Sequence, residues 1–357
     1  MDTPTLETLA AHVADPNWVR VAGYGLEKIH TGVLVYALTR GTPASRDLAA
    51  ALWMKATGEV LDPSNLEGLR AEPEVSLGKG ADSVLDLLIS FDALDGKRWL
   101  GIEMKVDASP RRDQLLRLRK GVFGRPDAGH AMVLLALGAA QVCRIEQGPA
   151  EGVARWDVDT LLDLAPVLRA AGASHLVEPW LRELGDERTR LALASQVTPG
   201  DARRYGYRPR TLLVYQFARF AKQLVEAGHK PWEVAVQSHN VVATASGSWR
   251  ATRVADAQVD YFLELTGEDL CLKAGCWSRK VDPRASAATV AAGAFAALQA
   301  AGLAPVKTPA RTGASTTLLK VRLPQNEPVR LARITEATET WSAFWTAHTS
   351  SASSAAT

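Results

Sequence analysis

Two short apolar runs, SVLDLLIS from Ser83 and WLGIEMKV from Trp99, carry the clearest pattern in the chain. The polar connection between them contains Asp95-Gly96, a strong hairpin signal, because glycine tolerates the positive φ that tight turns require. Val84, Leu85, Leu87 and Leu88 in the first run, and Leu100, Ile102 and Met104 in the second, are apolar on both faces. That is the pattern of strands covered on both sides. Upstream, Leu26, Ile29, Val33, Leu34 and Ala37 recur at helical spacing in VAGYGLEKIHTGVLVYALTR. RDLAAALWMKATG continues a helical region, and AEPEVSLG reads as a strand preceding the hairpin. After the hairpin, Ser109 as N-cap and Pro110 at the first helical position open a helix whose apolar stripe is Leu115, Leu116, Leu118 and Val122. HAMVLLALG then reads as a fourth, central strand. The alternation predicts an α/β fold with a sheet between helices.

Further along, WDVDTLLDLAPVLRAAG and VEPWLRELGDERTRLALASQ read as amphipathic helices closing a first half. Pro, Gly and Arg interrupt the pattern in QVTPGDARRYGYRPR, which marks a boundary near 196–210. Beyond it, TLLVYQFARFAKQLVEAG predicts a helix ended by Gly228. WEVAVQSHNVVATA, VDYFLELTG, DLCLKAG and ASTTLLKVRLP predict strands. Helices are predicted over Ala285–Ala301 and in ITEATETWSAFWTAH. The expected domains are residues 1–199, a mixed α/β unit over 200–348, and a disordered tail over 349–357.

Three charged residues break the apolar hairpin: Asp86 in the first run, Glu103 and Lys105 in the second. Side chains two apart on a strand share a face, so Glu103 and Lys105 emerge side by side. A hairpin about Asp95-Gly96 brings Asp86 across from that pair within roughly one residue of register. Unpaired charge in a covered strand is costly, so these groups need partners or a metal. Mg²⁺ takes hard oxygen ligands, keeps several waters, and commonly uses one or two carboxylates. Asp86 and Glu103 are the expected ligands of Mg²⁺ or Mn²⁺, with the Ile102 or Met104 carbonyl as further donors. Such an ion activates water and polarises a phosphoryl oxygen. Lys105 would orient that water or neutralise charge growing on a phosphate.

Asp86 followed by Glu103-Met104-Lys105 resembles the PD-(D/E)XK nuclease superfamily, which includes restriction-type endonucleases. The resemblance spans roughly Gly25 to Gly138 and implies an α-β-β-β-α-β core, restriction-endonuclease-like, with catalytic Asp86, Glu103 and Lys105. It also implies supporting roles for Glu27 in the first helix and Gln114 in the helix after the third strand, as in bacterial branches that carry these residues. The chain departs from the pattern in having Leu85 rather than proline before Asp86. Implied with the family are a divalent-metal-dependent nuclease acting on DNA, a role in defence against foreign DNA or in repair, and a homodimer suited to double-strand cleavage. The reading from a different class is a non-catalytic nucleic-acid-binding or scaffold protein on the same fold.

Arg111, Arg112 and Arg119 follow the trio in an arginine-rich helix and are expected to meet flanking phosphates. His30, one turn after Glu27, reads as a helix-surface histidine, and Glu72 and Glu74 are rival acidic candidates. In the second half, Arg203, Arg204, Arg208 and Arg210 interleave with Tyr205 and Tyr207 as either a nucleic-acid contact or an exposed linker. Trp232, Trp249 and Trp277 read as core or interface residues, and His229 and His239 as structural.

Composition narrows this picture. With 357 residues, 47% of them hydrophobic, the chain can bury a large core in two domains. Cys143, Cys271 and Cys276 lack zinc spacing and form no even disulfide set, so buried or free thiols in a reducing cytoplasm are expected. The start MDTPTLETLAAHVADP is acidic and without an apolar core, unlike a secretory signal. No apolar run reaches membrane-spanning length, so a soluble cytoplasmic protein is expected. No Gly-rich phosphate loop of the ATPase type is present. The formal net charge is only +2, but it divides into −5 through Pro199 and +7 from Gly200. An acidic, cation-binding half joined to a basic one suits work on a polyanion.

Overall fold

The computed structural model describes residues 17–78, 83–126, 129–143, 145, 150–194, 214–219, 223, 226, 232–237, 240–245, 250–254, 257–266, 269–276, 283–308, 315–324 and 327–354. The chain divides into two compact units, Met1–Leu193 and Ala194–Thr357. Both are mixed α/β. The expectations for the linker around 196–210, and for Gly228, His229, His239, Trp249 and Trp277, lie outside the described residues.

The first unit opens with helices α1 (Trp18–Ala22), α2 (Glu27–Thr39) and α3 (Pro43–Thr57), followed by strands β1 (Glu67–Ser76), β2 (Val84–Ala93) and β3 (Gly96–Val106). Helix α4 (Arg112–Phe123) leads to β4 (Gly129–Leu137) and β5 (Ala154–Trp156), and α5 (Val158–Asp163), α6 (Ala165–Ala171) and α7 (Ser174–Leu193) close the unit. The sheet order is β1-β2-β3-β4-β5. β1, β2 and β3 form an antiparallel meander, whereas β4 runs parallel to β3 and β5 parallel to β4. Parallel neighbours need a crossover, and α4 provides the one between β3 and β4.

The hairpin forms with a turn one residue earlier than the sequence suggests. Ala93 pairs with Gly96, so Leu94 and Asp95 occupy the turn, and Gly96 adopts φ 130°. The Asp95 carboxylate accepts from Arg98, which fixes the turn to the strand that follows. β3 is the middle strand of the five, and β4, expected as central, lies inside the sheet rather than at its edge because the three-residue strand β5 pairs beyond it. The expected single helix around 156–172 is two, parted at Leu164, with Pro166 in the first turn of the second.

Alternation along β3 sorts its neighbours. Arg98 and Met104 meet Trp53 of α3 and Thr31 of α2, while Gly101 and Glu103, of opposite parity, meet Val122 and Gln114 of α4. The sheet is therefore covered on both faces, as the two-sided apolar pattern required. At Gly101 the approach of α4 is close enough to exclude a side chain: a Cβ there would lie 2.6 Å from Val122 Cγ2 and 3.0 Å from Met132 Sδ.

A buried ionic cluster joins α1 to α7. Arg20 bonds Glu183 and Asp186, and Arg190 bonds Glu183 and Glu187. His30 is not on a helix surface: it is fully buried, with Nε2 on the Tyr24 carbonyl oxygen and Nδ1 receiving the Trp180 indole N–H. It braces α2 against α7, because an imidazole with both nitrogens satisfied can be buried at little cost.

In the second unit, residues 214–219 are helical. Among the described residues seven strands follow, β6 (Trp232–Gln237), β7 (Asn240–Ala245), β8 (Arg250–Val254), β9 (Ala257–Thr266), β10 (Asp269–Cys276), β11 (Pro305–Lys307) and β12 (Ser315–Arg322), with helices α8 (Pro283–Ala300) and α9 (Glu327–Ser354). The sheet order is β11-β12-β10-β9-β7-β6, with β8 paired to β9. The run 232–245, expected as one strand, folds back on itself with Gln237 paired to Asn240. The tail expected to be disordered from 349 continues α9 as helix through Ser354. All three cysteines, Cys143, Cys271 and Cys276, are buried. Among the described residues no helix is long and apolar enough to cross a membrane.

Replacing Gly101 by Ala forces α4 away from β3. The expected outcome is a loss of about 1–3 kcal/mol in stability, the usual cost of overpacking, measured by chemical denaturation.

Candidate active site

The β2–β3 ladder ends at the pair Leu87 and Ile102, and Asp86 and Glu103 are the next residues on the two strands. There the Asp86 carboxylate takes the Met104 backbone N–H at 2.6 Å. Glu103 is 1% exposed. Its Oε1 accepts from Lys105 Nζ at 2.7 Å and from Gln114 Nε2 at 2.9 Å. Lys105 Nζ also donates to the Met104 carbonyl oxygen at 2.9 Å and lies 3.6 Å from Glu27 Oε1. Glu27 accepts from the Val106 N–H at 3.4 Å. Five residues spread over 88 positions of sequence, Glu27, Asp86, Glu103, Lys105 and Gln114, thus meet at the end of β3.

Two helix starts deliver the flanking members. Glu27 is the first residue of α2, and Gln114 lies in the first turn of α4. Helix N-termini carry positive partial charge, which suits a cluster rich in carboxylates. Asp107, which the sequence reading passed over, ends β3 with φ 60° and holds the Ala139 N–H at 2.8 Å. An aspartate before a small residue and a proline was the signal available, because Asp tolerates the left-handed region better than most residues.

Burial dominates the electrostatics. It pushes the Glu103 carboxyl up to about 8; the neighbouring Asp86 charge adds to this and Lys105 opposes it. Burial also raises Glu27, again against Lys105. For Lys105, burial favours loss of the proton, but the Glu103 and Glu27 carboxylates outweigh it and the net shift is upward. Lys105 is therefore a persistent cation rather than a proton acceptor. Three carboxylates face one ammonium, and the excess negative charge is met near neutral pH by a proton on Glu103.

A cation can take that proton's place. Glu103 Oε2 is buried and has no hydrogen-bond partner among the described residues. An ionised oxygen so placed has no donor to replace the water it lost, and a divalent metal held by Glu103 and Asp86 would supply that stabilisation. The donor set fits Mg²⁺ or Mn²⁺, which complete their shells with water. Among the described residues no group of three or more His, Cys, Asp or Glu side chains forms a cage for a metal. Of the two backbone donors considered, the Met104 carbonyl is occupied by Lys105.

The cationic helix is less uniform than its composition suggested. Arg111 and Arg117 both bond Asp113, a charge pairing within the helix itself. Arg112 is half-buried in the first turn of α4. Arg119 lies toward the other end of α4, over the Phe123 ring, and is not brought to Glu103. Glu72 and Glu74 are exposed on the edge strand β1, and Glu74 pairs with Lys28 at 2.6 Å, so neither joins the cluster's hydrogen bonds. Comparison with protein-family models, curated proteins and solved structures finds no match for this chain.

The raised Glu103 carboxyl has a definite consequence for stability. Between the ordinary value of 4.5 and about 8, the folded protein holds a proton that the unfolded chain has released. Without divalent metal, stability should fall as pH rises through that window, by at most about 1.4 kcal/mol per pH unit, and level off above it. Denaturation midpoints from pH 4.5 to 9 check this; Glu103→Gln should flatten the dependence, and Mg²⁺ or Mn²⁺ should offset it at high pH.

Proposed function

We propose that this chain is a divalent-metal-dependent nuclease that hydrolyses phosphodiester bonds of DNA, built on a restriction-endonuclease-like core. The observation that carries the reading is the convergence of Asp86, Glu103 and Lys105, with one Glu103 oxygen buried and unpartnered. The order of elements supports it as well: a helix bearing Glu27, an antiparallel meander, a crossover helix bearing Gln114 and a strand parallel to the third.

In this reading Asp86 and Glu103 hold Mg²⁺ or Mn²⁺. The bound ion supplies Lewis-acid polarisation of the phosphoryl group and a water of lowered pKa. Gln114 and Lys105 fix the Glu103 carboxylate through one oxygen and leave the other for the metal. The Lys105 ammonium, kept charged by Glu103 and Glu27, stabilises negative charge growing on the phosphate in the transition state. Glu27 limits the freedom of Lys105 from the start of α2. The backbone N–H groups of Met104 and Val106, by holding Asp86 and Glu27, tie the acidic groups to the end of one strand.

The test uses the full chain with supercoiled circular and linear DNA in Mg²⁺, Mn²⁺ or EDTA. Nicking should require metal. Lys105→Ala and Asp86→Asn should each lower the rate by at least about 100-fold, the scale for removing one charge-stabilising group. Equal nicking by wild type and Lys105→Ala would assign the activity elsewhere and overturn the reading.

A further inference from the structure

A second constellation lies on the same strand as the candidate site. Trp99 of β3 and His130 of β4 are register partners, so they stand side by side on one face of the sheet. Trp99 shares the parity of Glu103 and precedes it by four residues, about 13 Å along the strand. Phe123, the last residue of α4, stacks on His130 with ring centroids 5.5 Å apart and planes 27° from parallel. Cations lie over these rings: Arg119 at 4.3 Å from the Phe123 centroid, Arg125 at 4.7 Å and Lys97 at 5.1 Å from that of Trp99.

Two of these cations differ from Arg111 and Arg117. Those two share the Asp113 carboxylate, and Lys97 lies 3.8 Å from Asp92, whereas Arg119 and Arg125 have no carboxylate partner among the described residues. A guanidinium already held over a ring surrenders little further freedom when it meets a phosphate. Arg119 also donates to the Gly152 carbonyl oxygen, so it spans two residues that line a cavity of about 290 Å³. Phe123 and His130 form one wall of that cavity, which lies near the lower limit of small-ligand pockets and suits one planar ring system.

We infer that the Phe123–His130 cleft, with Arg119 and Arg125 beside it, is a subsite for one unpaired nucleotide of a polynucleotide, its base against the rings and its phosphates against the guanidiniums. The base must be unpaired, because its flat faces and edges become accessible only outside a duplex. The spacing along β3 corresponds to about four nucleotides of a stacked strand at 3.4 Å each. That placement of the subsite relative to a scissile bond rests on the nuclease reading; binding by itself does not require cleavage.

The experiment measures anisotropy of a labelled oligonucleotide, single-stranded and duplex, with the full chain in EDTA, so that cleavage plays no part. Wild type should prefer the single strand. Phe123→Ala should weaken that binding by at least about fivefold, given about 1–3 kcal/mol per stacked base. Phe123→Leu, which keeps the apolar end of the helix but removes the ring, should do the same with unchanged circular dichroism. Arg119→Ala should lower the slope of log affinity against log salt by about 0.7, one phosphate contact on a single strand. Single-strand binding unchanged in both Phe123→Leu and Arg119→Ala overturns the subsite, even if wild type cleaves DNA with Mg²⁺. The expected losses in a protein that shows no metal-dependent cleavage would keep the subsite and remove the nuclease reading.

Discussion

A carboxylate buried in the middle strand of the five-stranded sheet sets the terms for the first unit. Glu103 sits where both faces of β3 are covered, and a lone charge there costs too much to persist. The surrounding structure answers it with an ammonium, an amide and a raised proton affinity. The first two depend on separate features, Lys105 on the strand's period of two and Gln114 on α4 packing tightly over Gly101, while Glu27 at the start of α2 reaches the Lys105 ammonium. The meander and the crossover helix matter to the site because they bring these starts and ends together.

The same unit shows what a settled buried charge looks like. In the cluster that joins α1 to α7, every carboxylate of Glu183, Asp186 and Glu187 meets a guanidinium. At the end of β3, by contrast, the Asp86 carboxylate is held by a backbone N–H and Glu103 leaves one oxygen unpartnered among the described residues. The difference separates a cluster whose carboxylates are all met by guanidiniums from one that keeps a buried carboxylate oxygen without a donor among the described residues.

Much of this was legible from residue order. Two-sided apolar runs gave β2 and β3, and Asp95-Gly96 located the hairpin to within a residue. The Glu103-x-Lys105 spacing placed both groups on one face without any tertiary information. Other features left no local trace. Glu183, Glu187 and Arg190 look like the solvated face of an amphipathic helix, yet they are buried, because Arg20 arrives from far away in sequence to meet them. His30 gave no hint that Trp180 would cover it. The strand β5 is too short for any period to show, and the hairpin within 232–245 hides in a continuous β-rich run. Arg119 read together with Arg111 and Arg112 as a phosphate contact, and only the fold showed that it lies over Phe123 while Arg111 and Arg117 both bond Asp113.

By itself, then, the sequence determined local matters: which segments are helix or strand, which strand positions share a face, and that charge interrupts an otherwise apolar hairpin. Those follow from backbone periodicity and hydrophobic patterning, which act over a few residues. Tertiary structure alone decided which charges find partners and which stay unsatisfied. Burial and pairing depend on groups distant in the chain, and the balance between desolvation and Coulomb attraction is set only when they meet.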